Sequence, residues 1–205
     1  MNLTESYKEL LRRTELTCVA RYKASSRLNY HGYFSQWTLA LLSIGQIVIA
    51  LIMALNFEVN FSERYVTFIS IFFGVLVLAY SLLLGMGNHE ARSIKLHQCG
   101  LELGELARKI YFFATGAKSS QKEYENFARK YYEILEKCEN HSTVDYLAAR
   151  LERNFPKKIS DLNFLDYYSR VKDASKMWFF RLLQFSHYVI SLVLIGAWIW
   201  KLIKF

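Results

Sequence analysis

GYFSQWTLALLSIGQIVIALIMALNF, residues 32–57, contains no charged side chain. A helix rises ~1.5 Å per residue, so ~20 such residues cross the ~30 Å hydrocarbon core of a bilayer. A second uncharged run, YVTFISIFFGVLVLAYSLLLGMGN, covers 65–88, and a third, LLQFSHYVISLVLIGAWIW, covers 182–200. The first two clear the spanning length. The third meets it when Arg181 and Lys201 extend their charged ends to the interface. Outside these runs the chain is strongly polar, so the mean hydropathy of +0.08 averages two unlike kinds of sequence. The pattern predicts an all-α membrane protein: a two-helix transmembrane hairpin, a cytoplasmic helical bundle, and a third, C-terminal membrane helix.

The flanking charges orient the hairpin. Lys8, Arg12, Arg13, Arg21, Lys23 and Arg27 precede the first run, whereas the 58–64 turn carries only Arg64 beside Glu58 and Glu63. Residues after the second run are again rich in Lys and Arg. The positive-inside rule therefore places the N-terminus and residues 89–176 in the cytoplasm, and accounts for much of the +8 formal charge without nucleic acid. Parity sends the C-terminus outside, which leaves Lys201 and Lys204 on the disfavoured side. Two arrangements of the third run stay open on this ground: spanning, or lying in the interface. Trp178, Phe179 and Phe180 at one end and Trp198 and Trp200 at the other favour spanning. The first run is too long, and too far from the N-terminus, for a cleaved signal peptide.

The expected organisation is a cytoplasmic N-terminal helix (1–31), the hairpin (32–88), a cytoplasmic helical region (89–176) and the C-terminal membrane helix (177–205). Tyr7, Leu11, Cys18 and Tyr22 share one face of the N-terminal helix, which is read as packing on the middle region and touching anionic headgroups with its basic side chains. Asn56 and Asn60 mark the end of the first span, and Ser62 is placed to cap the second. That second helix is expected to continue to about Thr115, with Leu96, Leu103, Leu106 and Ile110 as its apolar stripe. Ser119 or Ser120, with Glu123, opens an amphipathic helix through Tyr124, Phe127, Tyr131, Leu135 and Cys138. A shorter helix spans Val144–Phe155 before Pro156, and a last one starts near Ser160-Asp161.

Polar residues inside apolar runs are costly in lipid and so draw attention. Ser43 and Gln46 lie on the first span, Thr67, Ser70, Tyr80 and Ser81 on the second, and Gln184, His187 and Ser191 on the third. They are candidates either for lining a path through assembled copies or for hydrogen bonds between helices. Ser70 with Gly74, and Ser81 with Gly85, are small pairs at a spacing that permits close helix contact. The turn Asn140-His141-Ser142-Thr143-Val144-Asp145 offers Asn140, His141 and Asp145 as ligand or partner contacts, against local helix capping. His89, Glu90 and His97 lack the HExxH spacing and a third ligand, so neither catalysis nor metal binding is assigned. Cys18, Cys99 and Cys138 are scattered and odd in number, and read as small apolar side chains. No phosphate loop, nucleophile elbow or carboxylate pair appears, and no cofactor is expected.

The arm Arg12-Arg13-Thr14…Arg21…Arg27-Leu28, the tight hairpin, the Asn140-His141-Ser142…Asp145-Tyr146 turn and the late apolar segment together resemble the SLATT family, the SMODS- and SLOG-associating two-transmembrane effectors of bacteria. The likeness is greatest to the subfamily with an added C-terminal membrane helix, associated with reverse transcriptases. The resemblance covers nearly the whole chain. It implies a non-enzymatic effector of the bacterial inner membrane that forms a pore or disrupts the membrane when triggered, in an anti-phage, abortive-infection setting. Its implied partners are the bilayer, further copies of itself, and a nucleotide second messenger or sensor protein, with a nucleotide cyclase or reverse transcriptase encoded nearby. It supplies no catalytic residues to carry over. The alternative reading is a membrane-anchored scaffold or sensor module that recruits a partner without forming a pore.

Overall fold

The computed structural model describes residues 3–55, 61–116, 120–153 and 164–203. Helices account for nearly all of them, and no strand occurs among the described residues. In chain order they are α1 (Leu3–Ala54), α2 (Glu63–Gly87), α3 (His89–Ala114), α4 (Gln121–Glu136), α5 (Thr143–Arg153) and α6 (Phe164–Ile203). They form two compact units. A charged unit comprises Met1–Asn29 and Glu90–Arg181, and an apolar unit comprises Tyr30–His89 and Leu182–Phe205. Helices α1 and α6 each run without interruption from one unit's residues into the other's.

The helix ends follow local chemistry. Ser120 Oγ accepts the Glu123 backbone N–H at 3.2 Å, satisfying one of the free donors that every helix N-terminus exposes. Ser62 precedes α2, but its hydroxyl makes no capping bond. The first turn is instead closed by the Ser62 carbonyl, which accepts from Tyr65 and Val66 at 2.9 and 3.1 Å. The second apolar run does not continue as one helix to Thr115. Asn88 breaks it, with φ 42° and ψ 36°. This left-handed conformation is one that Asn adopts more readily than other non-glycine residues. The expected signals at Asn56, Asn60, Ser119, Pro156, Ser160 and Asp161 lie outside the described residues.

In the charged unit the arm of α1 packs on α3 and α4. Tyr7, Leu10, Cys18, Cys99, Leu103, Leu106, Ile110, Ala114 and Tyr131 form the buried core, with Tyr124, Phe127 and Leu135 against it. Tyr7 stacks on Phe113 at 5.9 Å between ring centroids and meets Tyr124 edge-on at 5.5 Å. Phe113, Tyr124, Phe127 and Tyr131 thus fill a helical core, whereas Tyr111, Phe112 and Tyr132 are exposed. Gly100 is needed where α3 passes α1: a Cβ there would stand 2.7 Å from the Tyr22 ring.

In the apolar unit, α6 lies lengthwise along α1 in parallel. Tyr188 meets His31 near the start of the apolar run, and Ile195 covers Gly45 further along. A Cβ on Gly45 would stand 2.5 Å from Ile195 Cδ1. Ile49 and Val66 are fully buried, with Phe61, Phe73, Trp198 and Ile199 around them. Gly74 and Gly85 have open space among the described residues where a Cβ would point, so neither glycine of the two small pairs is a close helix contact there. Most of α2 is bare: Phe68, Ile71, Leu78, Leu82 and Leu83 are more than 60% exposed. A face this apolar is suited to hydrocarbon rather than water. Among the described residues, three helices are long and apolar enough to cross a membrane.

Candidate functional site

The buried positions of α1 repeat every seven residues. Tyr7, Thr14, Arg21 and Leu28 are buried in the charged unit, and Ser35, Leu42 and Ile49 in the apolar unit. A second row through Leu10, Ala24, His31, Thr38 and Gly45 runs beside it. Such a 3.5-residue period keeps one seam of a long helix facing its neighbours. Here much of the seam is polar, and the polar positions form the two candidate sites.

In the charged unit α1 grips the turn between α4 and α5. Arg27 donates from Nε and Nη2 to the two carboxylate oxygens of Asp145, at 2.9 and 3.0 Å. Asp145 is 1% exposed. It also accepts from the Ser142 backbone N–H at 3.0 Å and from Ser142 Oγ at 2.7 Å, so it closes the first turn of α5 as well. Local capping and an inter-helix ion pair thus converge on one carboxylate. Arg21, likewise 1% exposed, donates from Nη1 to the Glu139 carbonyl and from Nη2 to Asn140 Oδ1 at 3.4 Å. Its Nε has no acceptor among the described residues. Arg92 holds the Glu139 carboxylate with contacts of 2.9–3.0 Å.

His141 sits half-buried in the same turn, its ring 6.1 Å from that of Tyr146. Burial, and secondarily the nearby Arg21 charge, lower its pKa below the ordinary histidine value. The imidazole is therefore neutral at neutral pH. Cys99 and Cys138, remote in sequence, are neighbours in this core. Burial, reinforced by Cys138, pushes the Cys99 thiol up to about 12 and keeps it un-ionised.

Two of the arm's basic residues depart from the expected headgroup contact. Arg21 and Arg27 turn inward instead of toward headgroups. Lys8 pairs with Glu5, Arg12 and Arg13 share Glu9, and Lys23 pairs with Glu152. With two arginine hydrogen bonds as the leading cause, the exposed Glu9 carboxyl is lowered to about 2.

In the apolar unit the contacts are neutral. Tyr188 OH lies 3.1 Å from His31 Nδ1 and 2.9 Å from Ser35 Oγ, and all three residues are buried. The His31 ring stacks on Phe185 at 4.3 Å and faces His89 at 5.9 Å. Deeper in the run, Gln46 Nε2 donates to the Ser70 carbonyl at 2.9 Å and to Ser70 Oγ at 2.8 Å. Of the candidate span residues, Gln46 and Ser70 are brought together. Ser43, Thr67 and Ser191 return their hydroxyls to the carbonyls of Leu39, Glu63 and His187, four residues back on their own helices. Gln184 is half-buried with its Oε1 unsatisfied. Ser81 and His187 are exposed. His97 stands beside Tyr22 in the charged unit, 5.3 Å between rings.

The model of SMODS and SLOG-associating 2TM effector domain family 5 matches residues 3–204. The chain belongs to this family. The match takes in α1 to α6, so the Arg27–Asp145 grip, the His31–Ser35–Tyr188 cluster and the third apolar helix all lie inside the effector domain. No curated protein and no solved structure matches the chain.

Sequence reading missed Arg21, Arg27, His31, Ser35 and Tyr188 as site residues. The seven-residue step of α1, traced through polar as well as apolar positions, finds Arg21, His31 and Ser35, whereas Arg27 and, on α6, Tyr188 lie off it.

Proposed function

We propose that this effector domain acts in bacterial defence by assembling in the inner membrane and opening a path across it. The supporting observation is the outward polarity of the apolar unit. Ser81 on α2 and His187 on α6 are exposed amid lipid-suited side chains. A histidine or hydroxyl facing hydrocarbon is costly, and the cost falls when the group meets another protein surface or water. Three spans do not enclose a water column by themselves, so the path forms between copies. Ser81 and His187 then face a neighbour or the lumen, whereas Gln46 and Ser70 hold α1 to α2 within each copy. The charged unit lies in the cytoplasm on this reading. There it receives the trigger from a sensor protein or a soluble messenger, and the uninterrupted α1 carries both the arginine grip and the first span.

The experiment is cross-linking in membranes. In a background with Cys18, Cys99 and Cys138 replaced by serine or alanine, Ser81→Cys forms disulfide-linked copies. Gly45→Cys, covered by Ile195, does not. Cross-links at neither position, with a monomer by native mass measurement in mild detergent, overturn the proposal.

A further inference from the structure

We infer that the Nε–Nη2 edge of Arg21, together with Asn140 and His141, is a binding site for the phosphoryl group of a soluble ligand. A guanidinium removed from water is costly unless a carboxylate or another anion balances it. Arg27 and Arg92 have such partners in Asp145 and Glu139. Arg21 is the more deeply buried of the three, yet no carboxylate pairs with it among the described residues. Three guanidinium groups thus meet two carboxylates around this turn.

The uncompensated charge is also directional. Nη1 is used by the Glu139 carbonyl, beyond the C-terminal end of α4. That contact is a structural role, since cations near a helix C-terminus are favourable. The opposite edge carries Nε with no acceptor among the described residues and Nη2 with a long 3.4 Å contact to Asn140 Oδ1. Its two parallel N–H groups form the fork that binds a phosphate in bidentate fashion. His141 lies alongside with Nδ1 buried and unpartnered. Asn140 and Glu139 are exposed, and residues 139–142 are not helical, so the turn that covers Arg21 is at the surface.

Phospholipid headgroups carry the same chemistry. Arg21, however, precedes Gly32, where the first apolar run starts, by eleven residues. That is ~16 Å of helix rise at ~1.5 Å per residue, which favours a soluble source. The site stands whether or not the chain permeabilises a membrane.

The test is NMR of the full chain in micelles, following the His141 ring and the Asn140 amide during titration with inorganic phosphate against chloride at equal ionic strength. The expected result is a saturable phosphate-specific shift, with affinity at least about tenfold weaker in Arg21→Met, as loss of a charged hydrogen-bond partner implies. Asn140→Asp supplies an internal carboxylate at the exposed end of the fork. It keeps the fold and abolishes the phosphate shift. Should Arg21→Met fail to fold, Asn140→Asp decides the matter alone. Absence of a phosphate-specific shift in the parent chain, or its persistence in Asn140→Asp, overturns the inference. So does a shift given by phosphatidic acid in nanodiscs but not by free phosphate.

Discussion

The charged and apolar units bury polar groups along the same helix, and they do so with different chemistry. In the charged unit the seam of α1 holds Arg21, with Arg27 next to it, answered by the α4–α5 turn and Asp145. In the apolar unit it holds His31 and Ser35, answered by Tyr188, and beside them Gln46, answered by Ser70. In the charged unit the buried Asp145 carboxylate is matched by the Arg27 guanidinium and two Ser142 donors, so its charge is balanced within the protein. Neutral hydrogen bonds occur where the surroundings are apolar, since a neutral donor and acceptor leave little to desolvate once paired. A single seven-residue register thus serves both units, with the surroundings selecting the partner type.

The largest effect separating the two units is expected at Asp145. Asp145→Ala leaves Arg27 buried without its carboxylate and removes the acceptor of Ser142. It should cost about 3–5 kcal/mol of stability in denaturant unfolding of the full chain. Replacing both partners, Arg27→Met with Asp145→Leu, should recover a good part of this, because no lone charge remains. Equal losses in the single and double variants would break the distinction drawn between the units.

Next comes close packing in the apolar unit. Gly45→Ala puts a methyl group against Ile195 and should cost about 1–3 kcal/mol in thermal unfolding in detergent. Gly74→Ala and Gly85→Ala meet no atoms of the described residues and should cost nothing, raising stability by up to about 1 kcal/mol through helix propensity. Should they weaken association between copies, the open face of α2 is an interface. Tyr188→Phe retains the ring and removes the hydroxyl shared by His31 and Ser35, for an expected loss of about 1–2 kcal/mol.

The smallest effect concerns pH. Because the folded pKa of His141 is lowered, the unfolded chain binds more protons between that value and 6.5. Its contribution to stability is present above pH 6.5 and is lost as pH falls through the folded pKa. His141→Gln should flatten that part of the stability–pH curve.

The architecture was legible because lipid imposes a crude rule: long uncharged runs at 32–57, 65–88 and 182–200 stand out whatever their neighbours. Leu96, Leu103, Leu106 and Ile110 were legible for a similar reason, as an apolar stripe at helical spacing. Asn88 was harder to see, since a single left-handed residue leaves the apolar pattern around it intact. Arg21 and Arg27 were illegible by hydrophobicity, which assigns arginine to the surface, and by the positive-inside rule, which counts charges without asking where they point. Both rules miss a guanidinium whose partner lies more than a hundred positions away. Asp145 was noticed as a capping residue, but its second partner on α1 gave no local sign. Tyr188 was passed over because its polar neighbours His187 and Ser191 drew attention first, while a tyrosine within an apolar run reads as one more aromatic.

The most direct test of the central claim is membrane potential, followed with a voltage-sensitive dye in bacterial cells during induced expression of the full chain. The account predicts that accumulation of the protein, which drives assembly by mass action in place of the trigger, collapses the potential, and that Ser81→Leu with His187→Leu, which strips the outward polar groups, prevents the collapse without lowering membrane insertion. An intact potential at full insertion of the parent chain, with the protein monomeric, would contradict it.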